Sequence, residues 1–188
     1  ETVRPLMAHL IYDYPEDRAV RNLEDEYLFG RDLLVAPVIT EGAAGRAVYL
    51  PEGVWFDLWT GEKHSGKQTI DFPCPIDRIP VFVRDGAAIP VNMNGRLCMG
   101  TRRADGAVSN DLSRYENLCF LLFGTEGNRR FRDELGNDVT LIWKQNRETV
   151  DGKLACPITL FRMDGSDHGD ENGTIFDRTL RGMRKEKL

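Results

Sequence analysis

The sequence predicts a mainly β protein: antiparallel β-sandwich domains preceded by one strand–helix unit. Three observations carry this. Between Leu33 and Val91, short β-rich runs are broken by Gly, Pro and Asn/Asp at intervals of about 8–12 residues, the spacing of consecutive strands. No segment of helical period and ordinary helix length fits between those breaks. A second β-rich block runs from Tyr115 to Gly165, and in it Val139, Leu141 and Trp143 alternate with Thr140, Ile142 and Lys144.

The elements follow in order. VRPLMAHLIYDYPED is nearly continuous in apolar residues, as a strand covered on both faces is, and it runs into a turn at Pro15. Asp17 is placed to cap a helix over 18–29. In that helix Val20, Leu23 and Tyr27 form one stripe, with Glu24, Asp25 and Glu26 on the wet face. Gly30 suits the left-handed position that ends such a helix. The runs DLLVAPVI, RAVYLPE, VWFDLWT, KQTIDFP and IPVFVRDGAAIPV then read as strands joined by EGAAGR, PEG, TGEKHSG and PCPIDR. Consecutive hairpins bury one face of each strand, which a sandwich satisfies. Residues 92–114 are polar and Gly-rich, a connector or loop. YENLCFLLFG, RFRDE, DVTLIWKQ and KLACPITLFRMDG supply the later strands, with turns at TEGNR and LGND. The chain thus divides into 1–32, a proximal sandwich at 33–95, a distal β domain at 96–166, and a polar tail at 167–188. The tail reads as a frayed end, with a weak helical stripe at Phe176, Leu180 and Met183 as the alternative.

Composition narrows the functional classes. With 188 residues, 41% of them hydrophobic, the chain can bury one generous core or two small ones. A net charge of −5 disfavours nucleic acid, whose binders carry a basic face. The longest apolar runs, LLVAPVI and LCFLLF, are too short to cross a bilayer, so no membrane partner is expected. No charged-then-apolar leader opens the chain, and Cys74, Cys98, Cys119 and Cys156 are scattered without a CxxC pair. Together these indicate reduced thiols and a cytoplasmic location. The sequence begins at Glu1 and enters apolar residues at once, which reads as a piece of a longer polypeptide.

Candidate chemistry is sparse. His9, His64 and His168 are far apart and none has a metal-ligand spacing, so no metal site is expected; His64 and His168 read as solvated residues of Gly-rich turns. No GxSxG, P-loop or GxGxxG motif occurs. Asp133 and Glu134 are adjacent on a strand and point to opposite faces, so they flank a turn rather than one scissile bond. Trp55 and Trp59 share a strand face with Asp57, while Val54, Phe56 and Leu58 share the other. That pattern fits packing on both sides, with sugar stacking on Trp55 and Trp59 as the alternative.

The run RPLMAHLIYDYPED, then EDEYLFGRDLLVAPVITEGAAGRAVYLPEGVWFDLWTGE, then DRIPVFVRDGAAIPV closely resembles the C-terminal region of glycoside hydrolase family 31. That family comprises retaining α-glucosidases, α-xylosidases and relatives. CFLLFGTEGNRRFRDELGND resembles the family's distal-domain hairpin, except that Leu135 stands between the acidic pair and Gly136.

The resemblance implies that residues 1–32 are the last strand–helix unit of a (β/α)8 barrel, followed by proximal and distal β domains. It implies a parent that hydrolyses terminal α-linked glucosyl or xylosyl residues with retention and without a cofactor. Its partners would be the parent's catalytic barrel and its oligosaccharide substrate, with homo-oligomer contacts left open. Retention needs two carboxylates about 5–5.5 Å apart. Neither of the family's two aspartate motifs has a counterpart here, so no catalytic residue is assigned. Arg4 and His9 are the candidates for lying beside the substrate pocket. An independent carbohydrate-binding module or an interaction scaffold is the alternative reading. Without its barrel neighbours, the strand at 5–12 is expected to expose Leu6, Leu10, Ile11, Tyr12 and Tyr14, and either to dock on a second copy or to lack order.

Overall fold

A computed structural model of the chain describes residues 4–76, 78–93, 101–102, 108–109, 117–133, 135–145 and 147–163. The polar tail at 167–188, Cys98, Glu134 and His168 lie outside the described residues. The chain divides into two compact units, residues 1–58 with 62–85, and residues 59–61 with 86–188.

The first unit contains β1 (Met7–His9), β2 (Tyr27–Phe29), β3 (Leu33–Val35), β4 (Gly45–Leu50), β5 (Val54–Asp57), β6 (Lys63–Ser65), β7 (Gln68–Pro73) and β8 (Val81–Arg84). Six of these form one sheet in the order β1-β2-β3-β8-β5-β6, and β4 pairs with β7 in a second sheet. Every pairing in both sheets is antiparallel. Leu28, Leu34, Trp55 and Phe82 of the large sheet meet Val48 and Leu50 of β4 in one buried cluster. Phe72 of β7 stands edge-on to Phe82 at 5.0 Å between ring centroids. This is the predicted sandwich.

Two elements differ from the sequence reading. The helix expected over 18–29 is absent. A short 3-10 turn spans Arg18–Asn22, and the chain then straightens into β2. Asp17 does cap the turn, accepting from the Ala19 amide at 3.0 Å. Gly30 is left-handed at φ +64, but it ends a strand rather than a helix. Pairing of β2 with β1 on one edge and β3 on the other overrode a weak helical stripe. The expected bare strand at 5–12 is also revised. Only Met7–His9 is extended. Leu10–Tyr12 forms a 3-10 turn that carries Leu10 into the core, and Tyr14 is half-buried against the same cluster. Residues 7–9 therefore find a partner within their own unit.

The second unit contains β9 (Ala88–Met93), β10 (Thr101–Arg102), β11 (Val108–Ser109), β12 (Asn117–Phe123), β13 (Glu126–Arg132), β14 (Asp138–Lys144), β15 (Arg147–Gly152) and β16 (Ile158–Met163). The order β16-β12-β9 makes one sheet, β13-β14-β15 another, and β10 pairs with β11. The strand at 88–93, grouped by sequence with the proximal sandwich, pairs with β12 here. The β12–β16 pair is parallel, an exception to the antiparallel expectation. Leu118, Phe120 and Leu122 pack on Val139, Leu141 and Trp143, so the alternation read along 139–143 is the core face. Among the described residues no helix is long and apolar enough to cross a membrane.

Gly127 lies opposite Trp143 in the β13–β14 register, and a Cβ there would overlap the indole ring. The indole cannot retreat easily, because it is buried and its Nε1 donates to the Gly124 carbonyl at 3.3 Å. Gly127→Ala is expected to lower the unfolding free energy by about 1–3 kcal/mol, the usual range for overpacking a closed core. Urea unfolding followed by tryptophan fluorescence measures it; an unchanged midpoint contradicts this account of the packing.

Candidate functional site

The side chains that define the first unit's surface chemistry gather where the first segment turns. Asp13 accepts two bonds from Arg4, at 2.6 and 3.0 Å, and one from Arg84 Nη2 at 3.0 Å. Burial opposes its ionised form, yet the two guanidiniums outweigh that and hold the carboxyl below the usual range. Arg84 also lies over the rings of Tyr14 and Trp55, each at 5.4 Å. Arg4 stacks on Tyr12 at 5.1 Å and donates through Nε to the Gly30 carbonyl at 3.0 Å. Gly30 in turn donates its amide to the Leu6 carbonyl at 2.7 Å.

His9 accepts the Ile11 amide at Nδ1, 3.0 Å, and its Nε2 lies 2.7 Å from the Leu23 carbonyl. Arg4 and His9, the two candidate pocket residues, thus both hold backbone around β1.

Among the described residues β1 is an end strand of its sheet, and exposed apolar side chains lie on and next to it. Leu6 is 64% exposed, Met7 57% and Tyr12 53%, with Ile11 and Phe29 also exposed. Trp55 behaves differently from its second sequence reading. It is fully buried, and its Nε1 donates to the Pro51 carbonyl at 2.9 Å, so it offers no ring face to a sugar. Trp59 is half-buried and falls in the second unit. Asp133 accepts from the Asn137 amide at 2.8 Å, the Asn137 side chain at 2.9 Å and the Ala155 amide at 3.3 Å. These bonds, the Asn137 side chain foremost, hold its carboxyl low, and they make it the turn residue expected from sequence.

Sequence reasoning missed Glu26, placed on a wet helical face. It is 3% exposed and shares the inward face of the β2 segment with Leu28. Its Oε1 accepts the Tyr49 amide of β4 at 2.8 Å and lies 3.4 Å from Arg46 Nη2, while buried Oε2 has no hydrogen-bond partner among the described residues. Arg46 also donates to the carbonyls of Asp25 and Pro37, at 2.8 and 2.7 Å. Glu26 therefore latches one sheet to the other. The strand alternation of Glu26 with Leu28 was the signal available for it.

Burial pushes the Glu26 carboxyl up to about 7, against the opposing pull of the Tyr49 amide and Arg46. A value near neutrality is what a general acid needs, but this carboxyl is closed between sheets and bound to backbone. His64, expected in a solvated turn, is a half-buried residue of β6 set edge-on to Phe82 at 5.7 Å.

Residues 3–89 match the family model described as the glycosyl hydrolase family 31 C-terminal domain. An isomaltosyltransferase of Sporosarcina globispora is 35% identical over 157 residues, 80% of this chain and 14% of that protein. The neutral alpha-glucosidase AB of Mus musculus is 43% identical over 109 residues, 57% of this chain and 11% of that protein. In three dimensions the chain resembles the cycloalternan-forming enzyme of Listeria monocytogenes, solved in complex with a pentasaccharide substrate. The TM-score is 0.69 at 35% identity, over 84% of this chain and 15% of that one. The chain belongs to glycosyl hydrolase family 31, as the C-terminal β region, and spans about a seventh of the first of these relatives.

The Glu26 environment sets a pH dependence. Its ordinary value is 4.5 and its folded value about 7, so between these the folded chain holds a proton that the unfolded chain releases. The stability it contributes is complete below the ordinary value and is lost as pH rises through the folded one. Glu26→Gln is expected to flatten the fall in urea midpoint between about pH 5 and pH 8. An equal fall in both proteins contradicts the assignment.

Proposed function

We propose that this chain is the C-terminal, non-catalytic β region of a larger retaining α-glycosidase, and that its task is to support the catalytic barrel. The parent reaction is hydrolysis of terminal α-linked glucosyl or xylosyl residues, without a cofactor. Residues 1–32 give β1 and β2 to the large sheet of the sandwich, and we read them as the part of this region that faces the barrel rather than as its last strand–helix unit. The observation that carries the reading is the exposed apolar patch about β1, made of Leu6, Met7, Ile11 and Tyr12 with Phe29 on the neighbouring strand, on a unit whose own core is closed. Burying each of the aliphatic or phenyl side chains against a partner is worth about 1.5–3 kcal/mol. We assign the barrel, rather than a second copy, to that edge, and we give Arg4 and His9 a holding role beside it.

Relatives named for transfer and for hydrolysis share this region. That supports a common buttress, and leaves the choice between water and a sugar as acceptor to other parts of the parent. A carbohydrate-binding module working through Trp55 is disfavoured by that residue's burial. We place the protein in the cytoplasm, supported by thiols at Cys119 and Cys156 that form no disulfide.

Two measurements test the reading. The chain alone is expected to turn over no aryl α-glucoside or α-xyloside, since hydrolysis with retention needs both carboxylates. Turnover that tracks the protein peak through purification overturns it. In the full-length parent, Leu6→Ser with Tyr12→Ser is expected to lower both melting temperature and activity. In the isolated chain the same pair should cost no more than about 1 kcal/mol, the scale of the lost contact between Arg4 and the Tyr12 ring. A parent indifferent to the pair means that the β1 edge does not carry the barrel.

A further inference from the structure

We propose that Asp25, Glu26 and Arg46 form a proton-operated clasp on the loop between β3 and β4. With Glu26 protonated, Arg46 grips Asp25 and Pro37; with Glu26 ionised, Arg46 turns to it and releases the loop. That loop, residues 36–44, is fixed at its two ends. The Ala36 amide donates to the Pro80 carbonyl at 3.0 Å, and the Cys74 amide donates to the Ala44 carbonyl at 2.7 Å. Between those ends Arg46 Nη1 donates to the Pro37 carbonyl at 2.7 Å, and the Ala43 amide bonds within the loop to the Thr40 carbonyl. Ile39, carried between them, is exposed.

Arg46 serves two carboxylates with one charge. Its Nη2 lies 2.7 Å from Asp25 Oδ2 and 3.4 Å from Glu26 Oε1, while Nη1 also donates to the Asp25 carbonyl at 2.8 Å. The shorter distance is that of a charge-assisted hydrogen bond and the longer one is not. The guanidinium therefore sits on Asp25, the arrangement expected when Asp25 is the charged member of the pair.

Ionising Glu26 reverses the balance. The Asp25 side chain is 37% exposed, so water replaces a partner lost there. The Glu26 side chain is 1% exposed, and its buried Oε2 has no hydrogen-bond partner among the described residues. A buried carboxylate left bare costs more than an exposed one, so the guanidinium goes to Glu26. Its donors form a rigid planar fork, and drawing Nη2 onto Glu26 swings Nη1 off the Pro37 carbonyl.

The groups that bear on the Glu26 proton are burial and Asp25, which oppose ionisation, and the Tyr49 amide and Arg46 of β4, which favour it. The Tyr49 hydroxyl is occupied by Asp17. Raised to about 7, the carboxyl is half ionised near neutrality, which poises the clasp where small changes of pH move it. The stability effect of Glu26 needs no clasp, since burial alone produces it; what the clasp adds is control over how firmly the loop presents Ile39.

The test follows the isotope-labelled chain by NMR from pH 5 to pH 9. The Glu26 side-chain carboxyl carbon reports its proton, and backbone order parameters over 38–43 report the loop. Above a shared midpoint near 7 the order parameters are expected to fall from about 0.85 toward 0.6, while those of β4 hold. Glu26→Gln should keep the loop ordered at every pH. Asp25→Asn, on a partly exposed side chain, should lower the midpoint by about one pH unit, because it removes both the opposing charge and the competitor for Arg46. A Glu26 that titrates near its ordinary value overturns the proposal. So does a loop equally ordered on both sides of the midpoint, a loop that loosens alike in Glu26→Gln, or a midpoint unmoved in Asp25→Asn. None of these outcomes involves the barrel, so the clasp and the buttress reading fail or stand separately.

Discussion

Asp13 shared between Arg4 and Arg84 is the interaction on which the first unit's outer edge depends. A single carboxylate joins the start of the chain to the end of β8, where Arg84 stands seventy-one residues after Asp13 in sequence. Everything at that edge follows. With Arg4 held, its Nε and the Gly30 amide tie residues 4–6 to the end of β2, and β1 acquires its register opposite Tyr27–Phe29. With Arg84 held, its guanidinium covers the Tyr14 and Trp55 rings, so the polar cluster forms the lid of the apolar core. A partly buried ion pair is weak evidence of net stability, but removing one partner strands the others. Its value here is positional: it determines which edge the molecule presents.

Glu26 performs a related task between the sheets, with the opposite pH dependence. Asp13 is held low, so its contribution is present above the ordinary carboxylate range and lost on acidification. Glu26 is raised, so its contribution is lost as pH rises toward and past neutrality. The second unit relies on shape instead. Phe120 meets Phe131 edge-on at 5.4 Å, and the Trp143 indole occupies the space that Gly127 leaves. One sandwich is registered by charge and the other by packing.

The sandwich strands were legible because period-two alternation and Gly/Pro punctuation agree from Leu33 onward. Residues 18–29 were not, for a definite reason. Asp17 and Gly30 are genuine boundary signals, yet an N-cap aspartate suits a 3-10 turn as well as a long helix, and a left-handed glycine can follow a strand. Long-range pairing with β1 and β3 decided between them, and a single sequence does not display it. The same gap hid Glu26, since three adjacent acidic residues read as solvated until the strand places one of them inward beside Leu28. Trp55 was ambiguous because both faces of its strand are apolar; Phe56 and Asp57 prove as buried as the indole. The Arg4–Asp13–Arg84 cluster needed the fold, because nothing in the spacing links Arg84 to the first turn.

The edges of the sheets bear on what the molecule is built to meet. An open strand edge invites pairing, and proteins guard it with charge, proline or brevity. β6 is three residues long and carries Lys63; β15 is exposed throughout and carries Arg147, Glu148 and Asp151. β13 sets Arg130 and Arg132 on Asp138 at 2.8 Å each, and β9 places Pro90 opposite Phe120. β1 is short as well, but it has none of the other guards. Its free edge carries Met7 and His9, with Leu6, Ile11 and Tyr12 exposed alongside. Set against the guarded edges at β6, β15, β13 and β9, the apolar one at β1 has the asymmetry of a surface meant to be covered. The ion cluster then has a clear role: it holds an apolar strand in register at an edge where, uncovered, that strand has only one neighbour.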